Sequence, residues 1–328
     1  MNEISKKDYL DDVLYSYGMV HVKKLTDEYK MAANRLRKAI ESHYGDKIYS
    51  TFFSGSIAKH TAVNTKFDID FVIPFKHDSF DTLKAMSDDV FEFLNDYIKN
   101  DENVDICDSY VKKQKVSIGF IYRYFLEGEQ RAIPIDIVPG RELSQGDYEN
   151  TEALNLFFRE STWGFLSDEG SRQKTNIAAQ SKLICGKDKE RKVIRLLKIW
   201  KKANGKNVKS FVLELFILKA FEDYSGGNDL WMLLKHTLEY IRDNAKNESC
   251  HLYDPGNSNN DVLARMEKNE RSQLSDDMKN LLYFIENING YIKTAFPENT
   301  KFKKSKDTYG KIRNQIPLPP DNRRFGNQ

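Results

Sequence analysis

A chain of 328 residues with 40% apolar and 12% aromatic residues has the material for a packed core and room for two modest domains. Its 51 basic and 49 acidic side chains nearly cancel, to a net charge of +2, which argues against a positively coated nucleic-acid binder but leaves room for a local basic patch. Cys107, Cys185 and Cys250 fit no metal-ligand spacing and suit a reducing cytosol, Met1 to Lys7 lack the apolar core of a signal peptide, and no apolar run reaches the ~20 residues that span a bilayer.

Residues 8–44 read as helix: Leu10, Val13, Leu14, Tyr17, Leu25, Tyr29, Ala32, Leu36 and Ile40 recur in steps of three and four. Gly18 is placed to break this stretch in two, and Gly45-Asp46 to end it. Ile48 to Phe53 is β-branched and aromatic and predicts a strand, followed by Ser54-Gly55-Ser56. Residues 67–75, F-D-I-D-F-V-I-P-F, predict a second strand with Asp68 and Asp70 on one face and Ile69, Phe71 and Ile73 on the other. Helix is expected over 79–100. Val116 to Tyr122 and Ala132 to Val138 then alternate and read as a β-hairpin turning near Gly128. From about residue 150 the chain reads as helical, with helices over Lys189–Ala203, Ser210–Tyr224, Leu230–Ile241 and Ser275–Ala295. Residues 251–261, H-L-Y-D-P-G-N-S-N-N-D, are a loop by composition, and the tail from Asn314, with three prolines, is expected to be extended. The order is helix, mixed α/β, then mostly helix, without internal repeats.

The chemistry concentrates in the mixed segment. Same-face residues two apart on a strand have Cα atoms ~6.5–7 Å apart, so Asp68 and Asp70 can converge on a hard cation. Asp136, inside I-P-I-D-I-V, is a third strand carboxylate, and a carboxylate in so apolar a strand needs a partner. Three clustered carboxylates repel unless cations neutralise them. Two Mg²⁺ ions ~3.5–4 Å apart, or Mn²⁺ in their place, remove that penalty and set up in-line phosphoryl transfer. Glycine lets a backbone approach a phosphate closely, and the Ser56 hydroxyl beside Gly55 can hold phosphate oxygens. The bland alternative is that D-x-D is the solvent face of an amphipathic sheet. Val72, continuing the Asp face, speaks against it. For Lys198, three residues after Arg195 on a helix with Leu197 and Trp200, the bland reading is one solvated lysine among many. Tyr110, Tyr122, Tyr124 and Tyr253 are candidates to stack on a base, with packing as the alternative; Tyr253 is favoured because it adjoins Asp254-Pro255.

The order G-S, then D-x-D, then a later strand Asp resembles the DNA polymerase β-like nucleotidyltransferase superfamily. Arg195-Leu196-Leu197-Lys198-Ile199-Trp200 and Ser210-Phe211-Val212-Leu213-Glu214-Leu215 are similar to helices that follow the catalytic core in oligoadenylate synthetases and their bacterial relatives. Asp254-Pro255 with Asn259-Asn260 resembles their D-P…N-N loop. Together these resemble the cGAS/DncV-like nucleotidyltransferases (CD-NTases), signal synthases of bacterial anti-phage defence (CBASS).

The resemblance implies an α/β (α+β) fold, a polymerase β-like core with a mixed sheet plus a C-terminal helical domain, bilobed with the active site in the cleft. It implies Asp68, Asp70 and Asp136 as ligands of Mg²⁺, Gly55 and Ser56 on the triphosphate, and Lys198 and Ser210 on phosphates from the helical side; Tyr253 and Asp254 join the nucleotide-binding set. The implied partners are NTPs (ATP with one or more of GTP, UTP and CTP) and a downstream effector that senses a cyclic di- or trinucleotide. The expected division is 1–165 for the N-terminal helix and core, 166–313 for the helical domain and 314–328 for the tail. Asp188 and Glu190 interrupt the basic run Lys187 to Lys209, which argues against a nucleic-acid activator. A cytoplasmic monomer without a membrane partner is expected. A nucleotidyltransferase with a macromolecular acceptor such as tRNA, or a non-catalytic nucleotide-binding module, is the alternative.

Overall fold

The computed structural model describes residues 5–67, 69–100, 109–126, 129–162 and 165–304. In chain order it runs α1 (Lys6–Ser16), α2 (Lys23–Tyr44), β1 (Phe52–Ser54), α3 (Gly55–Ala58), β2 (Ile69–Phe75), α4 (Leu83–Asn100), β3 (Tyr110–Lys113), β4 (Ile118–Leu126), β5 (Glu129–Glu142), α5 (Tyr148–Thr151), β6 (Leu154–Thr162) and β7 (Phe165–Thr175). The rest is α6 (Ile177–Lys182), α7 (Asp188–Ala203), α8 (Ser210–Ala220), α9 (Leu230–Asn244), β8 (Tyr253–Asp254), β9 (Asn257–Asp261), α10 (Lys268–Asn287) and α11 (Tyr291–Ala295).

The sheet is mixed, in the order β1-β2-β5-β4-β3, with β6 and β7 continuing from β5. β2 and β5 are parallel; the other described pairings are antiparallel. Alternation divides the sheet into two faces. Ile69, Phe71, Ile73 and Phe75 of β2 join Ile133, Ile135 and Ile137 of β5 under α2 and α4, in one buried core. Helix α2 meets that core through Tyr29, Ala32, Ala33, Leu36 and Ile40, steps of three and four that make a single stripe. On the opposite face Val72 and Val138 pack against Leu154 and Leu156 of β6.

A second core lies among α1 and α7 to α11, built on Leu10, Trp200, Phe216, Leu234 and Phe296. Helix α8 buries Val212 to Leu218 without a break, as its strongly apolar sequence predicts. Helix α1 precedes the sheet in the chain but packs into this second core, and the Tyr9 hydroxyl donates to the Phe296 carbonyl at 2.8 Å.

Four expectations need correction. The chain from residue 150 is not helical at first. Leu154–Thr162 and Phe165–Thr175 pair as β6 and β7, because Leu154 and Leu156 alternate and Phe157 and Phe158 follow them, side chains that fit a pleated surface. The strand expected over 48–53 is confined to 52–54, with Ile48 making only a bridge to Phe75. The helix expected over Ser275–Ala295 is two. Helix α10 starts earlier, at a reciprocal Glu267/Glu270 cap, and Gly290, at φ +79°, separates it from α11. The D-P loop holds a short hairpin, β8–β9. Gly18 does divide the first helical stretch. Among the described residues no helix is long and apolar enough to cross a membrane. Cys107, Gly128 and the tail from 314 lie outside the described residues.

Candidate active site

The parallel register of β2 and β5 sets Asp70 directly beside Asp136. Adjacent strands lie about 4.8 Å apart, and paired residues leave the sheet on the same side. The two carboxylates therefore stand together on the face opposite the α2–α4 core. Asp70 is the one residue of β2 that is not buried, and both aspartates are half-buried. Strand β1 pairs with β2 so that Ser54 faces Asp70, which delivers Gly55-Ser56 to the same place. Gly55 adopts φ +76°, a left-handed conformation that favours glycine. A Cβ at Gly55 would also collide with the Asp70 carboxylate. The glycine is thus required both by backbone conformation and by the close approach of the acid. Ser56, in the first turn of α3, is half-buried beside it.

The donors here are carboxylate oxygens, which suits a hard cation such as Mg²⁺. Among the described residues no three His, Cys, Asp or Glu side chains form a group able to hold a metal ion. Asp68, the third carboxylate of the expected set, lies outside the described residues.

Gln114, in the β3–β4 connection, is a site residue that the motifs do not mark. Its Nε2 donates to Asp136 Oδ1 at 3.0 Å, and the Ser117 hydroxyl donates to its Oε1 at 2.6 Å. Gly119 faces Asp136 across the β4–β5 pairing, and a Cβ there would lie 2.5 Å from Gln114 Nε2. The glycine leaves the space through which the amide reaches the aspartate. The Gln114 carbonyl in turn accepts from Nη1 of the buried Arg159 at 3.1 Å. A glycine inside an alternating strand is the one signal in the sequence for this arrangement.

The helical half is tied to this corner through Glu214. The residue sits on α8, four positions after Ser210, and is buried. Its Oε1 pairs with Lys198 Nζ at 2.9 Å and its Oε2 with Lys59 Nζ at 3.1 Å. Lys59 follows α3, and Lys198 projects from α7. Lys198 Nζ also donates to the buried Thr61 hydroxyl at 3.0 Å. Burial pushes the Glu214 carboxyl up, but the Lys198 and Lys59 ammonium groups outweigh it and hold the carboxyl below the usual range. A carboxylate in the apolar run S-F-V-L-E-L-F-I-L was the available signal, because such a group needs a buried partner.

Ser210 begins α8 and is half-buried. Asp254 is buried and accepts from Gln180 Nε2 and the Gly256 amide, each at 2.8 Å, and from Asn260 Nδ2 at 3.3 Å. Its carboxylate fastens the β8–β9 hairpin to α6, and α6 brings the Ser181 hydroxyl 3.4 Å from that of Ser54. Tyr253 is exposed and stacks on His251 with ring centres 5.8 Å apart. Tyr110 is exposed, Tyr122 is buried with its hydroxyl on Arg35, and the Tyr124 side chain is outside the described set. Four side chains of the basic run have separate partners: Arg191 with Asp188, Lys198 with Glu214, Lys202 with the Thr65 carbonyl and Lys206 with Asp277.

No family model and no curated protein matches the chain. Solved structures do. E. coli MS115-1 CdnC, solved with ATP, is 18% identical at a TM-score of 0.67, over 92% of this chain and 100% of that one. Elizabethkingia meningoseptica CdnE cyclic dinucleotide synthase, solved with GTP and Apcpp, is 16% identical at a TM-score of 0.53, over 77% of this chain and 91% of that one. E. coli DncV in its 3′-deoxy GTP-bound form is 14% identical at a TM-score of 0.53, over 76% of this chain and 69% of that one. The chain therefore shares the fold of these solved structures.

Proposed function

We propose that this chain is a CD-NTase that joins NTPs by Mg²⁺-dependent nucleotidyl transfer into a cyclic di- or trinucleotide signal, read by a downstream effector in anti-phage defence. The observation that carries the reading is the Asp70–Asp136 pair in parallel register beside the left-handed Gly55 turn. The fold likeness to CdnE, a cyclic dinucleotide synthase, supports the product class.

In this reading Asp68, Asp70 and Asp136 hold the cation. When bound, it neutralises phosphate charge and lowers the pKa of the attacking hydroxyl. Gly55 and Ser56 hold the triphosphate through main-chain amides and a hydroxyl. Lys198 and Ser210 approach the phosphates from the helical side, and Tyr253 offers an exposed ring next to the Asp254 hairpin. A ribose hydroxyl attacks the α-phosphorus, a P–O bond forms, and the bond to the departing pyrophosphate breaks. Asp136, aimed by Gln114, orients or takes the hydroxyl proton.

The test is pyrophosphate release from the four NTPs without any acceptor, with Mg²⁺ and with excess chelator. Release that needs the ion supports the reading, and its absence under both conditions sinks it. Gln114→Ala provides a second check that does not depend on turnover. Loss of a group that orients a metal ligand typically costs about 10–100-fold in metal affinity. Calorimetric titration with Mn²⁺ is expected to show that loss while the circular dichroism spectrum is unchanged. Unaltered affinity would remove Gln114 from the site.

A further inference from the structure

On another side of α3 and α7, a cavity of about 580 Å³ is walled by α2, α3 and α7. That volume falls within the ~300–1,000 Å³ of small-molecule pockets. Lys30 comes from α2, and Arg191, Lys192 and Arg195 from α7. Asp188 is the one carboxylate among its lining residues. Its side chain is 84% exposed and engages Arg191 at 3.2 Å. Burial pushes the Arg195 guanidinium below its usual range, and the neighbouring Arg191 charge adds to the effect. An arginine still keeps its proton. The Nε groups of Arg191 and Arg195 are both buried without a hydrogen-bond partner among the described residues. Positive charge withdrawn from water without full compensation is unfavourable, and an anion reverses that cost. Met19 and Ile57 supply an apolar part of the wall.

We infer that this cavity binds a small phosphorylated molecule, its phosphate on Arg191 and Arg195 and its apolar part on Met19 and Ile57. Guanidinium groups match phosphate oxygens two at a time, which suits adjacent turns of one helix presenting two of them. A nucleic-acid duplex would instead need a long track of cations, and two of the next basic residues along α7, Lys198 and Lys202, are engaged within the chain. The cavity is distinct from the aspartate corner but shares two of its supports. Ile57 lies on the helix that begins with Gly55-Ser56, and Arg195 precedes Lys198 by three residues.

The experiment uses the full chain in chelator, titrated calorimetrically with inorganic pyrophosphate at about 0.15 M salt. One-to-one binding is expected, at least tenfold weaker in Arg191→Met/Arg195→Met and unchanged in Ser56→Ala. Lys30 and Lys192 are exposed, so Lys30→Ala/Lys192→Ala tests the site without touching the core and is expected to weaken binding severalfold. Arg195→Met keeps the apolar stem and removes the buried charge. Its thermal midpoint should equal or exceed that of the wild type, and pyrophosphate should raise only the wild-type midpoint. The inference is overturned by equal affinity in the wild type and both double variants, or by loss of binding in Ser56→Ala. It is overturned equally by a short DNA duplex that binds more tightly than pyrophosphate through the same arginines.

Discussion

Asp70→Asn and Asp136→Asn are each expected to lower the rate of pyrophosphate release by about 10³-fold or more while leaving the protein folded. Each substitution keeps the side-chain volume and removes one negative charge from a pair set side by side on β2 and β5. A bound metal contributes several kcal/mol of charge stabilisation to phosphoryl transfer, and each ~1.36 kcal/mol is a factor of ten in rate. The fold is expected to survive because neither side chain belongs to a buried core. In β2 the residues around Asp70 are all buried and carry the packing. Rate and thermal midpoint should be measured on the same samples. A variant that keeps its midpoint and also its rate would exclude the pair from the chemistry.

Glu214→Gln carries the largest expected effect on stability. Breaking a buried ion pair from one side typically costs about 3–5 kcal/mol, because the remaining charge stays buried without its counter-ion. Here two ammonium groups, Lys59 and Lys198, lose the same carboxylate. The pH dependence follows from the depressed Glu214 pKa. Its stabilising contribution is fully present above the unfolded-state value, near 4.5, and is lost as pH falls through the lower folded value. Urea unfolding at pH 7 should therefore separate wild type from variant by that amount, and the gap should narrow as pH falls below about 4.5. A gap that stays constant down to the acid limit of folding would show that the Glu214 charge is not its source.

Much of this architecture was legible locally. The apolar stripe of α2 and the alternation in β4 and β5 follow from period, and the strongly apolar strand around Asp70 from composition. The aspartate pair was legible as a candidate site, since a carboxylate amid isoleucines demands a reason, and the register of β2 and β5 brings the two together. What escaped depends on long-range pairing. The β6–β7 hairpin is a pairing between strands, and its short apolar runs resemble helix segments when read alone. Tyr9 reaches Phe296 across 287 residues, a contact that no local window contains. Gln114 belongs to the site only because Gly119 opens a path across the strand. Asp254 stands out in the sequence through its D-P loop, yet in the structure its carboxylate accepts from Gln180 and holds that loop to α6.

The reading as a cyclic signal synthase is tested most directly by mass spectrometry of the products formed from a mixture of the four NTPs, Mg²⁺ and the full chain, after phosphatase treatment. A phosphatase-resistant ring of two or three nucleotides, absent with Asp70→Asn, is the expected result. Nucleotide appearing only on added RNA or protein, or no product alongside a folded protein, would contradict it.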